Sequence, residues 1–130
     1  MCSVADLDGN QLVENGTAFL RSKATGRLDA KKIAKLYDGP LKRFPELLGV
    51  SLAAVSQTPD SKKYQLNLGY FERAAQIIPL LDSKDMFAAW AKTPNKELEG
   101  AAPIEWLFAG PGQAQKLVEI VEDVLVGQPD

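Results

Sequence analysis

The stretch Trp90–Gly112, WAKTPNKELEGAAPIEWLFAGPG, decides how this chain is read. Its order of residues predicts a short helix ending near Ala91, an irregular turn through Pro94, Asn95, Leu98 and Gly100, and a new helix from Pro103. Pro94 pushes Thr93 towards an extended conformation and so ends the first helix. Gly100 takes a positive φ without steric cost, and Pro103 suits a first helical turn, where a missing N–H loses nothing. Glu105 then falls at the third helical position, favourable for the helix dipole. Trp90, Leu98, Ile104, Leu107 and Phe108 are the apolar side chains expected to fold the turn onto a core.

Outward from this turn the chain reads as helix throughout. Upstream, Leu68, Phe71, Ala75 and Ile78 recur at three- and four-residue steps and predict a central helix over 65–78, ended or kinked by Pro79. Ser83 is a good N-cap for a helix over 84–91 whose Met86, Phe87 and Trp90 form one apolar stripe expected in the core. Downstream, Ala114, Leu117, Val118, Val121, Val124 and Leu125 predict a last amphipathic helix over 113–126. Its polar face carries Gln115, Lys116, Glu119, Glu122 and Asp123. Ile120 and Val126 widen the apolar surface beyond one small core, which suits a partner or self-association. Gly127 closes the helix before the acidic tail Gln128-Pro129-Asp130.

The order Trp90, Pro94-Asn95, Leu98, Gly100, Pro103, an apolar helix with Leu107 and a last helix led by Gly112 resembles the C-terminal toxin-binding domain of the MbcA/ParS/Xre antitoxin family. The match covers roughly residues 66–127. The resemblance implies a type II antitoxin that binds and blocks a RES-domain toxin acting on NAD, and often represses its own operon. In that family the C-terminal region lies at the NAD-binding mouth of the toxin, which implies inhibition by occlusion. Carried over, the toxin-binding residues are Trp90, Pro94, Asn95, Leu98, Gly100 and Pro103 of the turn, with Lys116, Glu119, Glu122, Asp123, Gln128 and Asp130 of the last helix and tail. Ala101 and Ala102 stand where the family often has basic and hydroxyl residues. Without the resemblance, the favoured reading of the same residues is that they only shape a helical corner.

The first half of the chain reads differently. Residues 1–26 are polar, with a weak apolar cluster at Leu12, Val13, Phe19 and Leu20, and are expected to form a mobile arm. From Leu28 the pattern is helical, with Asp29 as N-cap, Ile33, Ala34, Leu36 and Tyr37 on one face, and Gly39-Pro40 as the stop. Leu47-Leu48-Gly49-Val50-Ser51, followed by Leu52, Val55 and Ser56, resembles a helix-turn-helix of the Xre or Cro type. Pro45 requires its first helix to start near Phe44. The second, Ser51 to Thr58, offers Ser51, Ser56, Gln57 and Thr58 to base edges but no Arg or Lys, so bidentate guanine readout is not open to it.

Charge divides the chain. Between Arg21 and Tyr64 ten basic residues face four acidic ones, whereas Gln65–Asp130 holds five basic and ten acidic, within a chain of net charge −2. A phosphate-facing half joined to a different binding half would produce this, and so would a solvated helix face. The DNA-binding candidates are Lys31, Lys32, Lys42, Arg43, Ser51, Ser56, Gln57, Lys62 and Lys63.

Scarcity excludes other chemistry. There is no histidine and a single cysteine, Cys2. An intrachain disulfide, a cysteine-built zinc site and every Ser-His or Cys-His arrangement are thereby ruled out. No enzyme activity, cofactor or metal is expected. No apolar run approaches the roughly 18 residues of a membrane span, and no signal peptide is read at Met1–Asn10, so a cytoplasmic location is expected. The reading is an all-α protein of two small helical lobes without a sheet: a mobile arm (1–26), a helix-turn-helix-like lobe (27–64) and a toxin-binding helical domain (65–130). Its partners would be a RES-domain toxin, operator DNA and further copies of itself, as a homodimer or larger toxin–antitoxin complex, with no membrane. The alternative is a stand-alone helix-turn-helix transcription regulator whose second half serves dimerisation.

Overall fold

Capping residues fix where the helices begin. The computed structural model describes residues 17–39, 41–81 and 83–127. Asp29, in an extended conformation, accepts from the N–H groups of Lys31 and Lys32 and starts α1 (Ala30–Leu36). Such a cap satisfies helix N–H groups that have no intrahelical acceptor. Pro45 sits in the first turn of α2 (Phe44–Leu48), preceded by a 3₁₀ turn at Leu41–Arg43, so the helix starts where the proline allows. Gly49, at φ 71°, reverses the chain into the Ser51 cap of α3 (Leu52–Gln57). Ser83 likewise caps α5 (Lys84–Lys92) through the Met86 N–H. Between α3 and α5 lie a 3₁₀ turn at Lys62–Tyr64 and the central helix α4 (Gln65–Ala74). After α5 come a 3₁₀ turn at Lys96–Leu98, α6 (Pro103–Phe108) and α7 (Pro111–Val126). The fold is all-α. Among the described residues there is no strand, only an isolated antiparallel bridge between Arg21 and Leu28.

α4 is the hub. It packs against α1 on one side and α7 on another, and α6 joins α5 to α7. Leu68 and Phe71 of α4, Ile33 of α1, Tyr37 at its C-terminal cap, Phe44, Phe87, Leu107, Leu117 and Val121 belong to one hydrophobic cluster. Five aromatic rings interlock inside it. Phe71 lies 5.5 Å from Tyr37, 5.2 Å from Phe44 and 5.1 Å from Phe108, and Tyr37 lies 4.9 Å from Phe87, mostly edge to face. Aromatic rings favour this geometry because the positive edge of one meets the negative face of another. Residues on both sides of the expected boundary at 64/65 therefore share a core.

Several local expectations need correction. α4 ends at Ala74, not Ile78, and tightens into a 3₁₀ segment, Ala75–Leu80, that contains Pro79. The tighter winding turns Ile77 inwards and leaves Ile78 half-buried. α7 begins at Pro111, with Gly110 at φ 116° before it, so Gly112 is inside the first turn and does not lead it. α1 is closed by Asp38, at φ 52°, and the Gly39 N–H returns to the Ala34 carbonyl. The left-handed residue is thus an aspartate, which tolerates that conformation better than most. Pro40 lies outside the described residues. Met86 is 49% exposed: α5 buries only Phe87 and Ala91 fully, so the expected stripe is narrower.

Of the expected mobile arm, 1–26, the described residues 17–26 are joined to the rest of the fold. Leu12 and Val13 lie outside the described residues, but from Thr17 the chain is packed, with Leu20 fully buried. The Arg21 guanidinium pairs with Glu72 at 2.9 Å, and the Gln65 amide both accepts from the Leu28 N–H and donates to its carbonyl, at 2.8 and 3.0 Å. A side-chain amide here takes the place of a neighbouring strand, tying residues 20–28 to the start of α4.

The buried Tyr37 hydroxyl donates to the Phe71 carbonyl at 2.6 Å. Burial pushes the phenol well above its ordinary 10.0. The native state therefore keeps the proton when the unfolded chain would lose it, so the stability this group contributes is present below about pH 10 and lost as pH rises beyond. Tyr37→Phe is expected to cost about 1 kcal/mol at neutral pH and to soften the alkaline unfolding limb. Chemical denaturation at pH 7 and above pH 10 checks both; an unchanged alkaline limb would reject the assignment.

Candidate protein-binding surfaces

The turn at residues 93–103 is a closed loop. Asn95 is extended, and its side-chain carbonyl accepts from the Glu97 N–H at 2.8 Å, capping the 3₁₀ turn. Its backbone N–H donates to the Ala101 carbonyl and its own carbonyl accepts from Gly100, both at 3.0 Å. Two successive positive φ values, 59° at Glu99 and 86° at Gly100, bend the chain enough to close that ring. Leu98 then enters the core and Pro103, buried, opens α6. Ala102 precedes that helix without a side-chain cap. Trp90 is half-buried and tilted over Phe87 at 5.6 Å, whereas Pro94 is exposed. The turn residues carried over by resemblance thus hold its shape, and chiefly Pro94 and the exposed backbone at Gly100 face outwards.

The acidic face of α7 is a separate surface. Lys116, Glu119 and Asp123 are exposed, while Glu122 pairs with Arg73 at 3.2 Å across to α4. Val124 and Val126 add apolar area beside them, Val126 being 86% exposed. Among the described residues no hydrogen bond or ion pair joins this face to the 93–103 turn. Gln128 and Asp130 lie outside the described residues.

The DNA-binding candidates divide into cations with partners inside the fold and lysines left exposed. The Arg43 guanidinium makes two contacts with Glu105, at 3.1 and 3.3 Å, and sits 4.2 Å over the Phe108 ring. The Lys32 ammonium donates to the Arg21 carbonyl at 2.8 Å. Both charges are engaged within the fold. Lys31, Lys42, Lys62 and Lys63 are exposed on three different segments. Ser51 is used as the α3 cap and Ser56 is half-buried, leaving Gln57 exposed on a six-residue helix whose outer side also shows Leu52 and Ala53.

One feature was not read from the sequence. An open groove of about 720 Å³ lies between α1 and α5, with Phe19, Leu36, Ala88 and Ala89 as its apolar lining. Its charged lining is Lys32, Lys35, Lys84 and Lys92 with Asp38 and Asp85. Lys92 donates to both the carbonyl and the carboxylate of Asp38, at 2.6 and 2.9 Å, and Lys84 lies 3.8 Å over the Phe19 ring. Lys84 and Lys92 belong to the acidic half of the chain, so no local charge run announces the groove; packing of α5 on the first half makes it.

Among the described residues no group of three or more His, Cys, Asp or Glu side chains could hold a metal ion, and no helix is long and apolar enough to cross a membrane. No protein-family model matches the chain, and neither a curated protein nor a solved structure matches it.

Proposed function

We propose that the chain is an antitoxin-type binding protein whose second half engages and occludes a RES-domain toxin. The observation that carries the reading is the 93–103 turn. Asn95, Gly100 and Pro103, the residues on which the resemblance rests, each meet a specific backbone requirement of that turn. They set α6 and α7 in place, and α7 presents a face of both carboxylates and exposed valines. Such a mixed surface suits protein recognition: apolar residues supply buried area, and the acidic ones supply orientation. Glu119, which accepts from the Gln115 amide at 3.1 Å, and Asp123 are the exposed carboxylates that would face a partner, since Glu122 is paired with Arg73.

The test is NAD consumption by a RES-domain toxin encoded beside this chain, with and without the protein. Full-length protein is expected to suppress it stoichiometrically. Glu119→Lys combined with Asp123→Lys is expected to weaken suppression by tenfold or more, because two opposite charges then face the same partner surface. Both positions are exposed, so the fold should survive the change. Undiminished NAD consumption and no complex with the wild-type chain would reject the reading.

Operator binding is the second reading, supported by the basic balance of residues 21–64. Its weight rests on the exposed Lys31, Lys42, Lys62 and Lys63, because Arg43 and Lys32 have partners within the fold. Phosphate-driven binding would weaken steeply with added salt.

A further inference from the structure

We propose that the groove between α1 and α5 receives α7 of a second copy of this chain. The order of charges along the two surfaces carries the assignment. On the α1 side of the groove the charged lining runs Lys32, Lys35, Asp38, at three-residue steps. Along the outer ridge of α7, Lys116, Glu119 and Asp123 are exposed at steps of three and four, so they share one face. With the two segments antiparallel, Lys116 falls opposite Asp38, Glu119 opposite Lys35 and Asp123 opposite Lys32. Each pairing is of opposite sign. The runs also agree in length, about 9 Å and about 10 Å at a helical rise per residue. Lys92 holds Asp38, yet the Asp38 side chain is 82% exposed, so a second cation can reach it.

The apolar residues follow the same register. The Lys92–Asp38 pair marks one end of the groove, and Lys84, 3.8 Å over the Phe19 ring, marks the other. Lys32, bound to the Arg21 carbonyl, belongs to the Phe19 end; Asp85 lies there too, set against Lys32 and Lys84. Antiparallel docking carries the C-terminal end of α7 to that end, where Val126, 86% exposed, meets Phe19. Ile120 and Val124, one turn apart beside the carboxylates, then run over Ala88 and Ala89, whose small side chains let a helix approach closely. Within one copy, α4 stands between α1 and α7, and α6 between α5 and α7. A chain therefore cannot seat its own α7 in its own groove. The contact passes head to tail between copies, closing into a ring or running on as a chain according to the angle between them.

The test is sedimentation equilibrium of the full chain with no other protein present, from about 10 µM to about 1 mM, where a small polar interface registers. The weight-average mass is expected to rise with concentration and to fall back as salt is added, because exposed charges are screened. Lys35→Glu and Glu119→Lys each set like charges opposite one another, and each is expected to weaken association about fivefold, the upper range for an exposed pair. The double variant Lys35→Glu, Glu119→Lys exchanges the two charges and is expected to restore association. Both positions are exposed, so the fold should survive, which circular dichroism checks. A chain that stays monomeric throughout would overturn the proposal and leave the groove to a different acidic partner. Association that neither reversal alters would place the interface elsewhere and overturn it as well. So would a double variant that associates no better than the single ones, since Lys35 and Glu119 would then not meet. No toxin enters these measurements, so their outcome is separate from that of the antitoxin reading.

Discussion

Phe71→Ala is expected to destabilise the protein by about 3–5 kcal/mol, the range for deleting a buried aromatic side chain. The ring is 1% exposed and is in contact with Tyr37, Phe44 and Phe108. Tyr37 caps the C-terminus of α1, and Phe44 and Phe108 belong to α2 and α6, so one substitution loosens three helices from the hub. Part of the cost is the lost burial and part is the loss of edge-to-face partners. Domains typically hold only about 5–15 kcal/mol in total, so the variant should lie near the limit of folding. The melting temperature is expected to drop by roughly 10 °C or more, followed by circular dichroism. A loss under about 1 kcal/mol would show that the cluster tolerates a cavity there and that α4 is not the hub.

Leu98→Ala is expected to cost about 3 kcal/mol, with its effect concentrated in the 93–103 turn. Leu98 is 1% exposed and is the side chain through which the 3₁₀ turn is held to the core. Without it, the ring of hydrogen bonds from Asn95 to Gly100 and Ala101 has no apolar anchor. Hydrogen exchange should accelerate most at the amides of Asn95, Gly100 and Ala101, whose acceptors lie inside the turn. Trp90 and Trp106 flank the turn, so their fluorescence should shift before global unfolding. Uniform acceleration along the chain would mean that the turn has no separate opening and that Leu98 merely fills space.

How much of this was legible depends on the range of the interaction responsible. Asp29, Ser51 and Ser83 cap the helices that their sequence neighbours announce, because a cap acts over three residues. Gly100 and Pro103 were readable for the same reason: each answers a backbone demand of its own dihedral angles. The 3₁₀ ending of α4 was hidden, since the apolar spacing at 68, 71, 75 and 78 fits a continuing α-helix. There, Phe71 gives its carbonyl both to Ala75 and to Tyr37, thirty-four residues away. Arg43 illustrates the same limit at the candidate site. It reads as a phosphate-seeking cation beside Lys42, yet Glu105, sixty-two residues on, holds it. The groove was invisible because its lysines are contributed by both halves of the chain.

The boundary at 64/65 runs through a shared aromatic cluster, and this bears on communication between surfaces. Helices that bury the same rings unfold in one transition. A ligand held only by the native state raises the stability of everything inside that transition, by an amount set by its concentration relative to its Kd. A partner bound on α7 would therefore slow amide exchange in α1, and an occupant of the lysine-lined groove would do so in α7, with no shift of the backbone in either. Thermodynamically the two ends share one reservoir of free energy, whichever of them is bound first.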